Sequence, residues 1–188
     1  MRIAVLGAGH IGGTLGGKWE AAGHEVVYGV RNPAEPGQAS VPDAVTGADV
    51  VLIAVPGAAA KDVLAMLGTA LVGKVVVDAS NDVQGGRLHA LDDLPEGAHP
   101  VRAFNTLGWE NFADPVVAGI QADLFYAAED GRPREVAELL IRDVGLEPVW
   151  LGGVEALELV DSVTRLWFTL AFQRGLGRRL AFKVLVEP

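Results

Sequence analysis

Short apolar runs alternate with longer segments of helical periodicity along most of this 188-residue chain. The apolar runs are mostly continuous, which is typical of strands buried on both faces. Strands separated by helices in this way predict an α/β fold, a mostly parallel sheet with helices on both faces. The predicted strands cover residues 3–7, 25–30, 49–56, 74–80, 101–105, 123–128 and 147–151, and the predicted helices cover 11–23, 58–73 and 134–145.

Composition narrows the class of protein. The chain has no cysteine, which excludes disulfides, thiolate catalysis and cysteine-ligated metal sites. Its formal net charge of −9 argues against nucleic acid and anionic membranes as partners. No apolar run approaches the roughly 18 residues of a membrane span, and the N-terminus lacks a signal-peptide pattern. We therefore expect a cytoplasmic protein whose partner is a small molecule.

A glycine motif follows the first predicted strand. Gly7, Gly9 and Gly12 form G-x-G-x-x-G between that strand and a helix, and a second strand follows at the spacing of a dinucleotide-binding unit. Gly7 permits a tight turn, Gly9 allows a diphosphate to approach the backbone, and Gly12 allows the helix to pack close to the strand. The helix N-terminus then offers N–H groups to the phosphates. The alternative is a structural turn without a ligand.

The residue after the second strand indicates which dinucleotide binds. Proteins that bind NAD usually place an acid here for the ribose 2′-OH, but this chain has Arg31 followed by Asn32. A guanidinium pairs with a 2′-phosphate through a fork of N–H groups and can lie over the adenine. The sequence therefore predicts NADP(H) rather than NAD(H), the alternative being a solvated surface arginine.

The segment from Val154 to Val186 has a different pattern. It predicts two helices interrupted at residues 174–177, the first of them apolar on more than one face. Such a helix is buried in the protein's own core or against a second subunit. We expect a dinucleotide-binding Rossmann-type domain over residues 1–153 and a helical extension over 154–188, packed on that domain or on a dimer partner.

The same segment is basic within an acidic chain. From residue 162 to residue 186 there is no acid, and the basic residues are Arg165, Arg174, Arg178, Arg179 and Lys183. They could bind an anionic substrate, pair with acids across a dimer interface, or form a solvated helical face. Interface and surface roles are favoured over substrate binding, since a solvated face is the usual case.

Five segments together resemble the NADPH-dependent reductases of the deazaflavin coenzyme F420. They are GAGHIGGTLGGKWEAAGHEVVYGVRNP, VVLIAVP, VVVDASND, VRAFNTLG and LWFTLAFQRGLGRRLAFKVL, and they cover essentially the whole chain. The resemblance implies a small single-domain Rossmann protein that transfers hydride reversibly between nicotinamide C4 and deazaflavin C5. It also implies a Ser-Arg pair for the 2′-phosphate, and here Val30 stands at the serine position.

The glycine motif, the arginine and the resemblance together define the candidate site. The resemblance implies that the nicotinamide lies near residues 54–57 and 79–81, at strand ends. The predicted cofactor-binding residues are Gly7, Ala8, Gly9, His10, Ile11, Gly12, Arg31, Asn32, Ala54, Val55, Pro56, Ala79 and Asn81. The predicted acceptor-binding residues are Asn81, Asn105, Thr106 and Trp109; turn and cap roles are equally open for the two asparagines and the threonine.

No acid–base constellation and no histidine–carboxylate set at metal-ligand spacing is evident in the sequence. We therefore assign no catalytic residue and no metal. Hydride transfer between two rings requires positioning rather than proton transfer, so the sequence favours an NADP(H)-dependent oxidoreductase acting on a flat aromatic acceptor, with coenzyme F420 foremost, and assembled as a homodimer. The alternatives are a reductase of a flavin, quinone, imine or ferric chelate, and a non-catalytic NADP(H) sensor.

Overall fold

A computed structural model describes residues 1–84 and 86–187. Its helices are α1 (His10–Ala21), α2 (Val41–Val45), α3 (Gly57–Leu67), α4 (Trp109–Ala113), α5 (Arg132–Val144) and α6 (Leu157–Phe168). Its strands are β1 (Arg2–Leu6), β2 (Glu25–Gly29), β3 (Gln38–Ala39), β4 (Val50–Ile53), β5 (Val75–Asp78), β6 (His99–Arg102), β7 (Val116–Val117), β8 (Ile120–Gln121), β9 (Asp123–Ala128) and β10 (Glu147–Trp150).

Eight strands form one sheet in the order β10-β9-β6-β5-β4-β1-β2-β3. Within the described residues its neighbouring strands are parallel except for β6 and β9, which run antiparallel. The chain leaves β1 for β2 on one side and returns to β4 on the other. The predicted single α/β domain of Rossmann type, with a mostly parallel sheet, is confirmed.

Both faces of the sheet are covered, which explains the continuous apolar strands. Along β1, Ile3 and Val5 join one core cluster while Ala4 and Leu6 join the other. Side chains alternate between the faces of a strand, so a strand that is buried on both sides is mostly apolar. Helices α1 and α5 pack on the first face, where the Trp19 indole donates to the Leu140 carbonyl at 3.1 Å.

Helix α6 covers part of the other face. It buries Leu157 and Val160 in the cluster that holds Ala127 of β9. The predicted burial of this helix is therefore accounted for by the chain's own core, whereas the division of the chain at residue 154 stays a prediction. Within the described residues no helix is long and apolar enough to cross a membrane.

The prediction of a second helix in the C-terminal segment, which we call the tail, is wrong. After Gln173, which ends a π-helical turn continuing α6, the tail is not helical, and Gly175 and Gly177 adopt positive φ angles of 71° and 82°. The tail then crosses the domain and forms an antiparallel bridge from Phe182 to Asp123 at the start of β9. Ion pairs attach this path to the rest of the domain: Arg178 with Glu110, Arg179 with Asp114, and Lys183 with Asp123. A short isolated helix would be only marginally stable.

Gly12 and Gly17, both in α1, provide a test of stability. A Cβ on Gly12 would lie 1.9 Å from the Gly7 carbonyl oxygen, whereas a Cβ on Gly17 would meet nothing within 4 Å. We expect Gly12→Ala to destabilise the protein by about 1–3 kcal/mol through overpacking, and Gly17→Ala to stabilise it by roughly 0.5–1 kcal/mol. Urea denaturation measures both, and equal effects would contradict this account of Gly12.

Candidate functional site

A cleft of about 720 Å³ opens at the carboxyl ends of the central strands, where the chain direction switches between β1, β2 and β4. Open α/β sheets bind ligands at this switch point. The cleft is lined mostly by apolar and small residues: Gly7, Gly9, His10, Ile11, Gly29, Val30, Arg31, Val41, Ala54, Val55, Pro56, Ala59, Val63, Trp109 and Arg178. Nine of the predicted site residues are therefore brought together here, among them Trp109.

The glycine turn has the geometry that a diphosphate requires. Gly7 has a φ of 103°, and a Cβ there would lie 2.7 Å from the Ala54 carbonyl oxygen. Gly9 stands at the N-cap of α1, and a Cβ there would meet nothing within 4 Å. The first turn of α1 holds no acid and no side chain caps it, so its N–H groups and positive dipole end are available to an anion.

Arg31 follows β2 and lines the cleft, as predicted for a residue that recognises a 2′-phosphate. It is exposed, and among the described residues no carboxylate pairs with its guanidinium. Val30 lies beside it in the lining, in place of the family serine, while Asn32 is exposed beyond the lining residues. The guanidinium is thus free to receive a phosphate.

Two strand ends meet behind the cleft. A Cβ on Gly57, at the start of α3, would lie 2.3 Å from the backbone of Asn81, so the segment after β4 is in direct contact with the segment after β5. Ala79 is buried in the core and Asn81 is half-buried beside the lining of the cleft. Ala8 borders a shallower depression on the other side of the glycine turn.

A buried arginine holds these strand ends together. The guanidinium of Arg102, fully buried on β6, donates from Nη1 to the carbonyls of Asp78 (3.0 Å) and Ser80 (2.6 Å) and from Nη2 to Asn81 Oδ1 (2.9 Å). Its Nε donates to Asp161 Oδ1 on α6 at 2.8 Å. Every described partner is an acceptor, as a guanidinium demands, and the position of Asn81 is thereby fixed.

Asn105 and Thr106, predicted to bind the acceptor, are buried rather than exposed in the cleft. With its amide oxygen turned inward, Asn105 accepts from Thr164 Oγ1 at 2.6 Å and from Arg102 at 3.2 Å. The Thr106 hydroxyl has no hydrogen-bond partner among the described residues. The preceding Phe104 has a positive φ of 62°, which turns the chain after β6 into the core. Binding roles for both residues stay predictions, with a structural role evident for Asn105.

The fold also assembles a cluster that sequence spacing does not show. Ligand-type atoms of His89, Glu158 and Asp161 lie within 4.8 Å of one another. Asp161 is paired with Arg102 at 2.8 Å, and Glu158 is paired with Arg87 at 3.2 Å. Because two guanidinium groups next to these carboxylates oppose a cation, we interpret the cluster as an ion-pair network.

An aromatic wall stands at one side of the cleft. The imidazole of His10 stacks on the indole of Trp109, with ring centroids 4.8 Å apart and planes 14° from parallel. Arg178, from the tail, lines the cleft beside them and donates from Nε to Glu110 Oε1 at 2.5 Å. Burial alone would raise the pKa of Glu110, but pairing with Arg178 lowers it. The sequence predicts Arg178 on a basic helix and favours an interface or surface role for it over substrate binding, whereas the structure places it in the lining of the cleft.

Known proteins resemble this chain in sequence. Residues 2–82 match the family described as NADP oxidoreductase coenzyme F420-dependent. An F420-dependent NADP reductase of Methanothermobacter thermautotrophicus is 27% identical, with 90% of this chain and 89% of that protein covered. The chain is similar to this family and to this reductase. It is an NADP-dependent oxidoreductase, and the resemblance inferred from the sequence is confirmed.

Solved structures are similar to this chain over nearly its whole length. A protein of Arthrobacter sp. FB24, provisionally named an F420-dependent NADP-reductase, has a TM-score of 0.82 and 26% identity, covering 99% of this chain and 100% of that one. A hypothetical protein of Sinorhizobium meliloti has a TM-score of 0.68 and 26% identity over 100% of this chain and 96% of that one. The tail and α6 therefore have counterparts in a solved relative of this oxidoreductase.

The buried network of this oxidoreductase predicts a specific pH dependence. The hydrogen bond from His89 Nδ1 to Asp161 raises the pKa of His89. Because the folded-state pKa lies above that of the unfolded chain, the resulting stabilisation is complete below about pH 6.5 and declines as the pH rises through the folded value. We expect the thermal midpoint of the wild type to fall over this range and that of His89→Gln to stay flat there.

Thermal denaturation between roughly pH 5.5 and pH 9 measures this difference. His99→Gln is the matched control, since no described residue bonds to its ring. Parallel curves for the wild type and His89→Gln would show that the histidine contributes nothing in this range.

Proposed function

We propose that this oxidoreductase transfers hydride between NADPH and a flat aromatic acceptor, the deazaflavin coenzyme F420. The observation that carries the proposal is the composition of the cleft: a glycine turn, a free arginine after β2 and an aromatic wall surround a mostly apolar space. Each feature corresponds to one part of such a pair of ligands. The family name and the F420-dependent relatives support the choice of acceptor.

The residues of the cleft would divide the binding as follows. The N–H groups of the first turn of α1 would hold the diphosphate, and the fork of Arg31 would hold the 2′-phosphate. The segments Ala54–Pro56 and Ala79–Asn81 would border the nicotinamide, and Trp109 would lie against the acceptor ring. Bound NADPH would supply a hydride from C4, and the acceptor would take it at C5 together with one proton from solvent. Apolar walls exclude water from the two rings.

We also propose that the oxidoreductase is a homodimer whose interface includes an exposed apolar stripe on α6. Leu159 and Leu166 are seven residues apart and therefore lie on the same face of α6, which differs from the face that buries Val160. Both leucines are about half exposed. Large exposed apolar side chains that repeat on one helix face mark interaction sites. Light scattering after size-exclusion chromatography measures the assembly.

Turnover with a panel of acceptors tests the proposed reaction. We expect NADPH oxidation with coenzyme F420, followed as loss of the deazaflavin's visible absorbance, to be at least about tenfold more efficient in kcat/KM than with FMN, a quinone, a cyclic imine or ferric citrate. If another member of the panel were preferred, the proposed acceptor would be wrong, while the proposed cofactor would still stand. Binding of NADPH without any turnover would favour a sensor.

Arg31 provides the test of cofactor choice. We expect Arg31→Ala to raise the Kd of NADP(H) by about tenfold or more, the scale of a hydrogen bond to a charged group. The Kd of NAD(H) should change less than about twofold, because NAD(H) has no 2′-phosphate. Fluorescence titration of the reduced cofactors measures both. Equal losses for the two cofactors, or none, would contradict the role assigned to Arg31.

A further inference from the structure

The charge of the cleft differs from that of the whole chain. The protein has a net charge of −9, yet the ionisable residues that line the cleft are His10, Arg31 and Arg178, with no carboxylate among them. Arg31 accounts for one anionic group of a ligand under the proposed function. Arg178 is a second cation at the same cleft, on a different element, and its ion pair with Glu110 uses only its Nε.

The atoms of Arg178 show which side of its guanidinium is available. Its Nε donates to Glu110 Oε1, and no described residue accepts from its Nη1 or Nη2. Glu110 therefore neutralises and orients the group through one nitrogen while leaving the two terminal nitrogens open. That side is the one that binds a carboxylate or phosphate in a bidentate manner.

The structure also fixes the position of Arg178 in advance of binding. We call residues 178–184 the tail strap. The guanidinium of its next residue, Arg179, donates to the carbonyls of Glu110 (3.0 Å), Asp114 (2.8 Å) and Val116 (3.0 Å) and pairs with the Asp114 carboxylate at 2.9 Å. These contacts attach the strap to the end of α4, so little ordering cost remains for a ligand that binds Arg178.

Two further hydrogen bonds attach the strap to α6 and α4. The carbonyl of Leu180 accepts from the indole of Trp167 at 2.9 Å and from Asn111 Nδ2 at 3.0 Å. Gly108, at the N-cap of α4, allows this close approach, because a Cβ there would lie 2.8 Å from the Arg178 carbonyl oxygen. The strap is thus built against the same short helix that carries Trp109.

We propose that Arg178 binds an anionic group of the acceptor, so that the enzyme selects flat acceptors that carry a phosphate or carboxylate side chain. This inference rests on the proposed function. Within the cleft, Arg178 belongs to the wall formed by α4 and the tail strap, where Trp109 lies, whereas the glycine turn and α1 already supply donors for the diphosphate of the cofactor. The acceptor's anionic group is therefore its partner.

The test compares two deazaflavins with the same ring system. One is coenzyme F420, which carries phosphate and glutamates, and the other is the deazaflavin alcohol that lacks them. Quenching of deazaflavin fluorescence measures their binding to the NADP-loaded protein. For Arg178→Gln we expect the Kd of coenzyme F420 to rise about tenfold or more, the scale of one charge-assisted pair. The Kd of the alcohol should stay within about twofold of its wild-type value.

Matched variants separate this role from a structural one. Arg174→Gln removes an exposed tail arginine that pairs with no described carboxylate, and it should leave both Kd values unchanged. Arg178→Lys keeps the charge without the fork and should give an intermediate Kd for coenzyme F420. Thermal midpoints of all variants report whether the strap remains attached.

Three results would overturn the proposal. A rise in the Kd of NADP(H) instead would assign Arg178 to the cofactor's diphosphate. Equal losses for both deazaflavins, or none, would make it a structural or surface arginine. If neither deazaflavin bound to the wild type, deazaflavins would be excluded as acceptors of this enzyme. If the wild type turns over FMN in place of a deazaflavin, the proposed acceptor fails, and the pair FMN and riboflavin then tests Arg178 separately in the same manner.

Discussion

A buried guanidinium organises the edge of the sheet from which the cleft is built. Arg102 is fully inside the protein, where an uncompensated charge would cost several kcal/mol. It is tolerated because its donors reach the carboxylate of Asp161, two backbone carbonyls after β5 and the amide oxygen of Asn81. The same contacts hold β5, β6 and α6 in register with one another. Loss of Asp161 would remove a carboxylate that balances the guanidinium, and loss of a neutral partner would leave a buried N–H group without an acceptor.

Arg102 also determines the orientation and the charge state of the polar side chains around it. A guanidinium has only donors, so the amide of Asn81 must turn its oxygen inward, and its nitrogen faces away from Arg102. The two buried acids Asp78 and Asp161 outnumber Arg102, and His89 supplies the balancing charge when it is protonated. Burial alone would raise the pKa of Asp161, yet the hydrogen bonds from His89 and Arg102 lower it. The edge of the sheet is thus a balanced set of charges hidden beneath an apolar cleft.

Features of the fold that depend on local sequence could be predicted, and features that depend on distant contacts could not. The glycine turn and Arg31 follow from residues close together in the chain, and continuous apolar runs reveal strands buried on both faces. Arg178 pairs with Glu110 across 68 residues of sequence, and no spacing rule reports such a pair. The tail has enough helix-forming residues to suggest a second helix, but its arginines pair with acids that only the folded domain presents.

The burial of Asn105 shows the same limit at a single residue. Polar residues at strand ends of an α/β sheet commonly face the ligand, and sequence gives no reason to treat Asn105 otherwise. The positive φ of Phe104 directs the next residues inward, where Asn105 meets Thr164 and Arg102. A backbone conformation that costs about 1–3 kcal/mol outside glycine persists only where packing compensates for it, and Phe104 packs edge-on against Trp19 and Phe112. Because Trp19 is distant from Phe104 in the sequence, the conformation of Phe104 could not be predicted from the sequence.

The placement of charge in the cleft is compatible with the proposed transfer between two rings. Its cations are arginines, which do not release protons at neutral pH, and its remaining ionisable group, His10, is stacked on Trp109. A carbonyl acceptor would need a proton donor at its oxygen, while a deazaflavin takes its proton at a ring nitrogen that solvent can reach. Under the proposed function, the cleft would contribute orientation and exclusion of water, and its charges would hold the ends of the ligands while the reacting carbons meet between apolar walls.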